Sequence, residues 1–229
     1  MSNQTNLQTL YPFLSGGRQD QGKLDAALIQ SIRAKSEEAR EVNARFFDTQ
    51  GPMLVAAARA LASLWRADRK LFAMGNGGSS CDAAHIVVEF LHPITTGRPA
   101  LPAINLVADM ATITAVGNDV GFDQVFARQI IAQGAAGDGL VGFSTSGNST
   151  NLIAALEAAK ARGLVTLGFA GGDGGRMKTC GFVDHCLVVE TASVHRVQEC
   201  HVIAFHILWD LVHTLLADHR GSASVEGAS

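Results

Sequence analysis

Leu71-Phe72-Ala73-Met74-Gly75-Asn76-Gly77-Gly78-Ser79-Ser80 decides the fold. Four apolar residues run into a Gly/Ser turn, and the residues beyond it read as a helix. The same order returns at Leu140-Val141-Gly142-Phe143, followed by Ser144-Thr145-Ser146-Gly147-Asn148-Ser149 and a second helical stretch. Strand, glycine-rich loop and helix is the arrangement from which α/β proteins build anion sites. Free backbone N–H groups and the positive end of the helix dipole face the ligand, and glycine lets the backbone come close. The second loop adds three serines within six residues, hydroxyls that suit the oxygens of a phosphate monoester. Either loop alone reads equally well as an ordinary turn with an N-cap; the pair favours an anion site. Neither is a nucleotide fingerprint. Gly75-x-Gly77-Gly78 lacks the GxGxxG spacing and there is no GxxxxGK[ST] loop, so a sugar phosphate fits better than a dinucleotide or ATP.

Working outward, strands read near Lys70–Met74, Leu101–Val107, Gly139–Phe143, Leu164–Phe169 and Cys186–Val189. Helical runs lie between them at Cys81–Leu91, Met110–Val116, Asp123–Gln133 and Asn151–Arg162. Strands separated by helical runs of this length mean βαβ units and a mainly parallel sheet covered on both faces. Ligands of such sheets lie beyond the carboxyl ends of the strands, where both Gly/Ser loops fall. Gly171-Gly172-Asp173-Gly174-Gly175 is a third glycine loop. Before the first strand, two helices are expected, Lys23–Phe47 and Pro52–Ala67, divided at Gly51-Pro52. A long helix from about Val194 to Leu216 closes the pattern. Residues 1–22 read as an extended arm, 23–220 as a single domain, and 221–229 as a disordered tail.

The composition fits this class. At 229 residues, 47% hydrophobic and 17% charged, the chain can bury a full core. A net charge of −3 with scattered Lys and Arg gives no basic surface for nucleic acid. No apolar run approaches the roughly 18 residues of a transmembrane helix, and no secretory signal is visible, so neither membrane association nor export is expected. The four cysteines show no CxxC spacing and read as reduced thiols of a cytoplasmic protein. Cys81, beside the first loop, reads as a small buried helix residue rather than a nucleophile.

The ionisable residues of two otherwise apolar helices stand out. His85 and Glu89 are four residues apart and share one helix face. Gln198 and His206 lie on the final helix about 80° apart around its axis. Each could be a satisfied structural group; as polar residues on apolar helices they need partners.

Taken in order, Gly75-Asn76-Gly77-Gly78-Ser79, His85-x3-Glu89, Val116-Gly117-Asn118-Asp119, Ser144 to Ser149, Asp173-Gly174-Gly175 and Arg196-Val197-Gln198-Glu199-x-His201 closely resemble the sugar isomerase (SIS) domain family, and within it the bacterial phosphoheptose isomerases. The likeness runs from about residue 24 to 216. It implies a three-layer, flavodoxin-like fold with a five-stranded parallel sheet, in a homotetramer whose active sites are shared between subunits. It also implies isomerisation of sedoheptulose 7-phosphate to glycero-manno-heptose 7-phosphate. By the resemblance, Ser144, Thr145, Ser146 and Ser149 hold the phosphate. Asn76, Gly77, Ser79, Asp119 and Gln198 contact the sugar, and Glu89 and His206 are the acid/base pair. Zinc, bound in some members, maps to His85, Glu89, Gln198 and His206. Two departures bear on the substrate: Phe90 to Arg98 differs from the family's Leu-x-Gly-Arg stretch, and His195 stands where an acidic residue often precedes Arg-x-Gln. The alternatives are an isomerase for a different phosphosugar, a non-catalytic SIS protein binding the replication initiator DnaA, and a sugar-phosphate-sensing domain. The DnaA-binding type lacks the Glu and His that are present here.

Overall fold

The computed structural model describes residues 21–226, so the arm expected over 1–22 falls, apart from Gln21 and Gly22, outside the described residues, as do residues 227–229. The chain divides into two units, Met1–Arg40 and Glu41–Ser229. Of the first, the described part is helical, with Leu28, Ile29 and Ile32 exposed and a Lys35 Nζ–Ser31 Oγ hydrogen bond of 2.7 Å. The second unit carries the sheet and every residue singled out above.

Helix α1 spans Gln21–Arg66 without interruption. The expected break at Gly51-Pro52 is therefore corrected. Within the second unit the apolar period runs straight through the proline: Val42 and Phe46 before it, and Leu54, Ala57, Ala58, Leu61 and Trp65 after it, all enter one core. Burying that stripe outweighs the roughly 3 kcal/mol that proline costs inside a helix. Just before it, the Thr49 hydroxyl donates back to the Arg45 carbonyl at 2.9 Å.

Five strands follow: β1 (Leu71–Gly75), β2 (Ala103–Asn105), β3 (Gly139–Ser144), β4 (Val165–Gly171) and β5 (His185–Val189). They form one parallel sheet in the order β2-β1-β3-β4-β5, with Leu71 beside both Ala103 and Gly139. The connecting helices are α2 (Gly78–Leu91), α3 (Met110–Asp119), α4 (Ala127–Gln133), α5 (Thr150–Ala161), α6 (Gly175–Thr179) and α7 (Val194–Glu226). The run expected as one helix over Asp123–Gln133 is a 3-10 turn, Phe122–Gln124, followed by α4. The final helix continues past Leu216 to Glu226, into the segment read as a tail.

Side chains alternate across each strand and so sort into two cores. Leu71, Ala73, Val141, Phe143, Leu167 and Phe169 meet α1, α2 and α7 on one face. Phe72, Met74, Leu140 and Ala170 meet α4, α5 and α6 on the other. By length and composition Val194–Ala217 could cross a membrane. Here its Val197, Cys200, Ala204, Phe205, Leu208 and Val212 are buried against the sheet, as in the core helix of a globular fold. In the order 2-1-3-4-5 the chain leaves β1 in opposite directions, which opens a crevice between the carboxyl ends of β1 and β3. The two Gly/Ser loops flank that crevice.

Candidate active site

α2 and α7 pack through Ile86, Phe90, Phe205 and Leu208, all fully buried. That contact brings His85, Glu89 and His206 together. His85 Nε2 lies 3.2 Å from Glu89 Oε1, and His206 Nε2 lies 3.4 Å from His85 Nε2 and 3.9 Å from Glu89 Oε1. The imidazoles meet edge to face, and His85 also rests on Phe205, so both rings are held. Both histidines remain 42% exposed and Glu89 22%, so the cluster opens outward from an apolar base. Burial, and then the neighbouring His85, hold the His206 pKa below its usual value despite Glu89. That shift favours the neutral imidazole, which can give a proton from one nitrogen or take one at the other.

The three side chains offer ligand atoms within 4.8 Å of one another. Donors about 2.0–2.1 Å from a tetrahedral zinc stand about 3.3 Å apart, so this donor set and spacing fit such an ion. The Gln198 carboxamide lies against Gly78, where a Cβ would meet Nε2 at 2.2 Å. Only glycine leaves room for Gln198 at the head of α2.

Around Ser144 the serine loop is tightly wired. Ser144 is buried, its Oγ is 3.1 Å from Ser149 Oγ, and it accepts from Gly147 N at 3.1 Å. Ser146 Oγ accepts from Asn148 N at 3.2 Å. Ser149 is the N-cap of α5 but makes no side-chain bond to its first turn, which leaves the helix N-terminus facing the loop. The third glycine loop braces the second. Asn148 bridges Ser146 O and Arg176 N, Met177 N donates to Gly147 O, and Gly147, at φ +64°, has no space for a Cβ against Gly174 O.

In the first loop, Ser79 is buried, Gly77 is exposed at φ +54°, and Asn76 is half-buried. The carboxamide of Asn76 pairs with that of Asn151. Thr145 is half-buried beside Ser144, and Asp119, at the exposed end of α3, accepts from Asn118 Nδ2 at 2.8 Å. Cys81 is exposed, a correction to the buried reading: it sits on the outer face of the first turn of α2.

Two features escaped the sequence reading. One is the Asn76–Asn151 pair. The other is Trp209, whose Nε1 donates to the Glu89 carbonyl at 2.8 Å and whose ring carries the Arg98 guanidinium at 4.2 Å. Arg98 also pairs with Asp210 at 2.5 Å, so the arginine of the divergent 90–98 segment braces α7 behind Glu89. An indole three residues after a candidate acid/base histidine was the available signal.

Residues 36–171 match the family model described as the SIS domain. The chain belongs to the SIS domain family. The phosphoheptose isomerase of Roseiflexus sp. (strain RS-1) is 42% identical over 180 residues, 79% of this chain and 90% of that protein. The phosphoheptose isomerase of Desulfovibrio desulfuricans is 43% identical over 197 residues, 86% of this chain and 92% of that one. Among solved structures, a phosphoheptose isomerase from Francisella tularensis matches with a TM-score of 0.77 and 32% identity, covering 81% of this chain and 98% of its own.

Proposed function

We propose that this protein is a phosphoheptose isomerase that interconverts sedoheptulose 7-phosphate and glycero-manno-heptose 7-phosphate. The observation that carries the reading is the meeting of Glu89, His85 and His206 on two apolar helices, on a fold whose relatives bear that name. The resemblance assigns the phosphate to Ser144, Thr145, Ser146 and Ser149, and the positive end of α5 supports an anion there. It assigns the sugar to Asn76, Gly77, Ser79, Asp119 and Gln198.

The chemistry needs a proton moved between adjacent carbons through an enediol. Glu89 takes the C1 proton of the ketose, and the neutral His206 gives a proton to the carbonyl oxygen at C2. Collapse reverses the roles: O1 gives up its proton, C2 receives one, and the aldose is formed. Trp209, donating to the Glu89 carbonyl, holds the end of α2 from which the base works. His85, Glu89 and His206, with Gln198 by the resemblance, would hold zinc, which polarises a carbonyl and stabilises negative charge on oxygen. The outward-facing cluster suits the shared sites of a homotetramer, and four free cysteines suit the cytoplasm.

The test is Glu89→Gln, which keeps the shape and removes the base. It is expected to bind sedoheptulose 7-phosphate within a few-fold of the wild type and to turn it over about 10²–10⁴-fold more slowly. Equal rates in the two proteins would refute the assignment.

A further inference from the structure

Asn76 and Asn151 are 75 residues apart, yet their carboxamides form a closed, reciprocal pair. Asn76 Nδ2 donates to Asn151 Oδ1 at 2.9 Å, and Asn151 Nδ2 donates to Asn76 Oδ1 at 2.9 Å. Asn76 immediately follows β1, and Asn151 lies in the first turn of α5, just past β3 and the serine loop. The pair therefore spans the crevice at the switch point of the sheet. Asn151 is 2% exposed, so breaking the pair strands buried polar atoms. The bond uses one N–H and one lone-pair position of Asn76, and a carboxamide has two of each.

We propose that Asn151 is a positioning residue that acts through Asn76, locking the Gly75–Ser80 loop to the Ser144–Ser149 loop so that they bind one phosphosugar as a single surface. This rests on the reading above, in which the serine loop takes the phosphate and Asn76 the sugar. Without the lock, the serine loop still grips phosphate. The sugar then sits in variable register with Glu89, and small misplacements of this kind are costly in rate.

A local role for Asn151 is separable. Its Oδ1 also accepts from Leu152 N at 3.0 Å, a task that aspartate performs equally well at a helix N-terminus. Asn151→Asp preserves that bond but removes the donor to Asn76 Oδ1 and sets two oxygens face to face. The experiment compares the wild type, Asn151→Asp, Asn76→Ala, Asn151→Ala and the double alanine variant. The readouts are kinetics on sedoheptulose 7-phosphate, affinity for inorganic phosphate, and hydrogen exchange of the Asn76 side-chain amide by NMR.

Asn151→Asp is expected to lower kcat/KM at least about tenfold, chiefly in kcat, with phosphate affinity changed less than about threefold. The double alanine variant is expected to be no worse than Asn76→Ala alone. Wild-type kinetics in Asn151→Asp, or alanine effects that multiply independently, would overturn the proposal. A wild type without turnover defeats the isomerase reading instead. The lock is then judged by amide exchange, slowed in the wild type and released in Asn151→Asp; exchange as fast as a free asparagine in the wild type refutes it.

Discussion

Gly78 shows how one missing methyl group shapes the candidate site. The Gln198 carboxamide occupies the space a Cβ would take, with Nε2 at 2.2 Å and Cδ at 3.2 Å. The obstacle is the far end of a flexible side chain, so Gly78→Ala should fold normally, and alanine is up to about 1 kcal/mol the better helix former. Gln198 would have to swing away. Gly78→Ala should therefore keep its melting temperature while losing kcat/KM by about the same factor as Gln198→Ala, and combining the two should add nothing. Thermal melts and steady-state kinetics check this; independent, multiplying losses would show that Gln198 works from another position. Such details were legible only in part. Glu89 and His85 share a helix face by spacing alone, so their pairing could be read from the chain. The approach of His206 depends on how α2 packs on α7, and the Asn76–Asn151 pair joins residues that no local pattern connects.

Elements were more legible than residues, for a physical reason. β1, β3 and β4 are largely apolar, almost wholly buried runs, each with a glycine at one end, and such runs announce themselves. Gly51-Pro52 has the local chemistry of a helix start, but the apolar period on either side of it enters one core, and that burial decides for a continuous helix. Strand order was not legible, since pairing β1 with β3 is a long-range choice made by packing. The core face covered by α1, α2 and α7 holds a testable consequence. His201, on α7, is fully buried between Phe143 and Phe169, with Nε2 3.3 Å from the Ala170 carbonyl. Burial pushes its pKa down to about 4, against an ordinary value of 6.5. Below 6.5 the unfolded chain takes up a proton that the folded chain refuses, so stability is full above that pH and is lost as pH falls towards 4. Between pH 7 and pH 5 the loss is about 2 kcal/mol. Urea denaturation at the two values should show the wild type losing about 2 kcal/mol more than His201→Phe; equal changes in both proteins would assign the pH dependence to other groups.

At the scale of the molecule, three glycine-rich loops and two helices converge on one end of a parallel sheet. The second loop is braced by the third through Asn148 and tied to the first through Asn151, while α2 and α7 supply the ionisable groups. In the proposed reading, the loops take the phosphate and the helices move the proton. The central claim is that this assembly moves a proton between adjacent carbons of a phosphosugar. The most direct measurement is NMR of sedoheptulose 7-phosphate with the enzyme in D₂O, on protein as purified, chelator-treated and zinc-restored. The account predicts new aldoheptose phosphate signals, with turnover lost on chelation and regained with zinc. Absence of aldose signals in all three preparations, with the phosphosugar still bound, would contradict it.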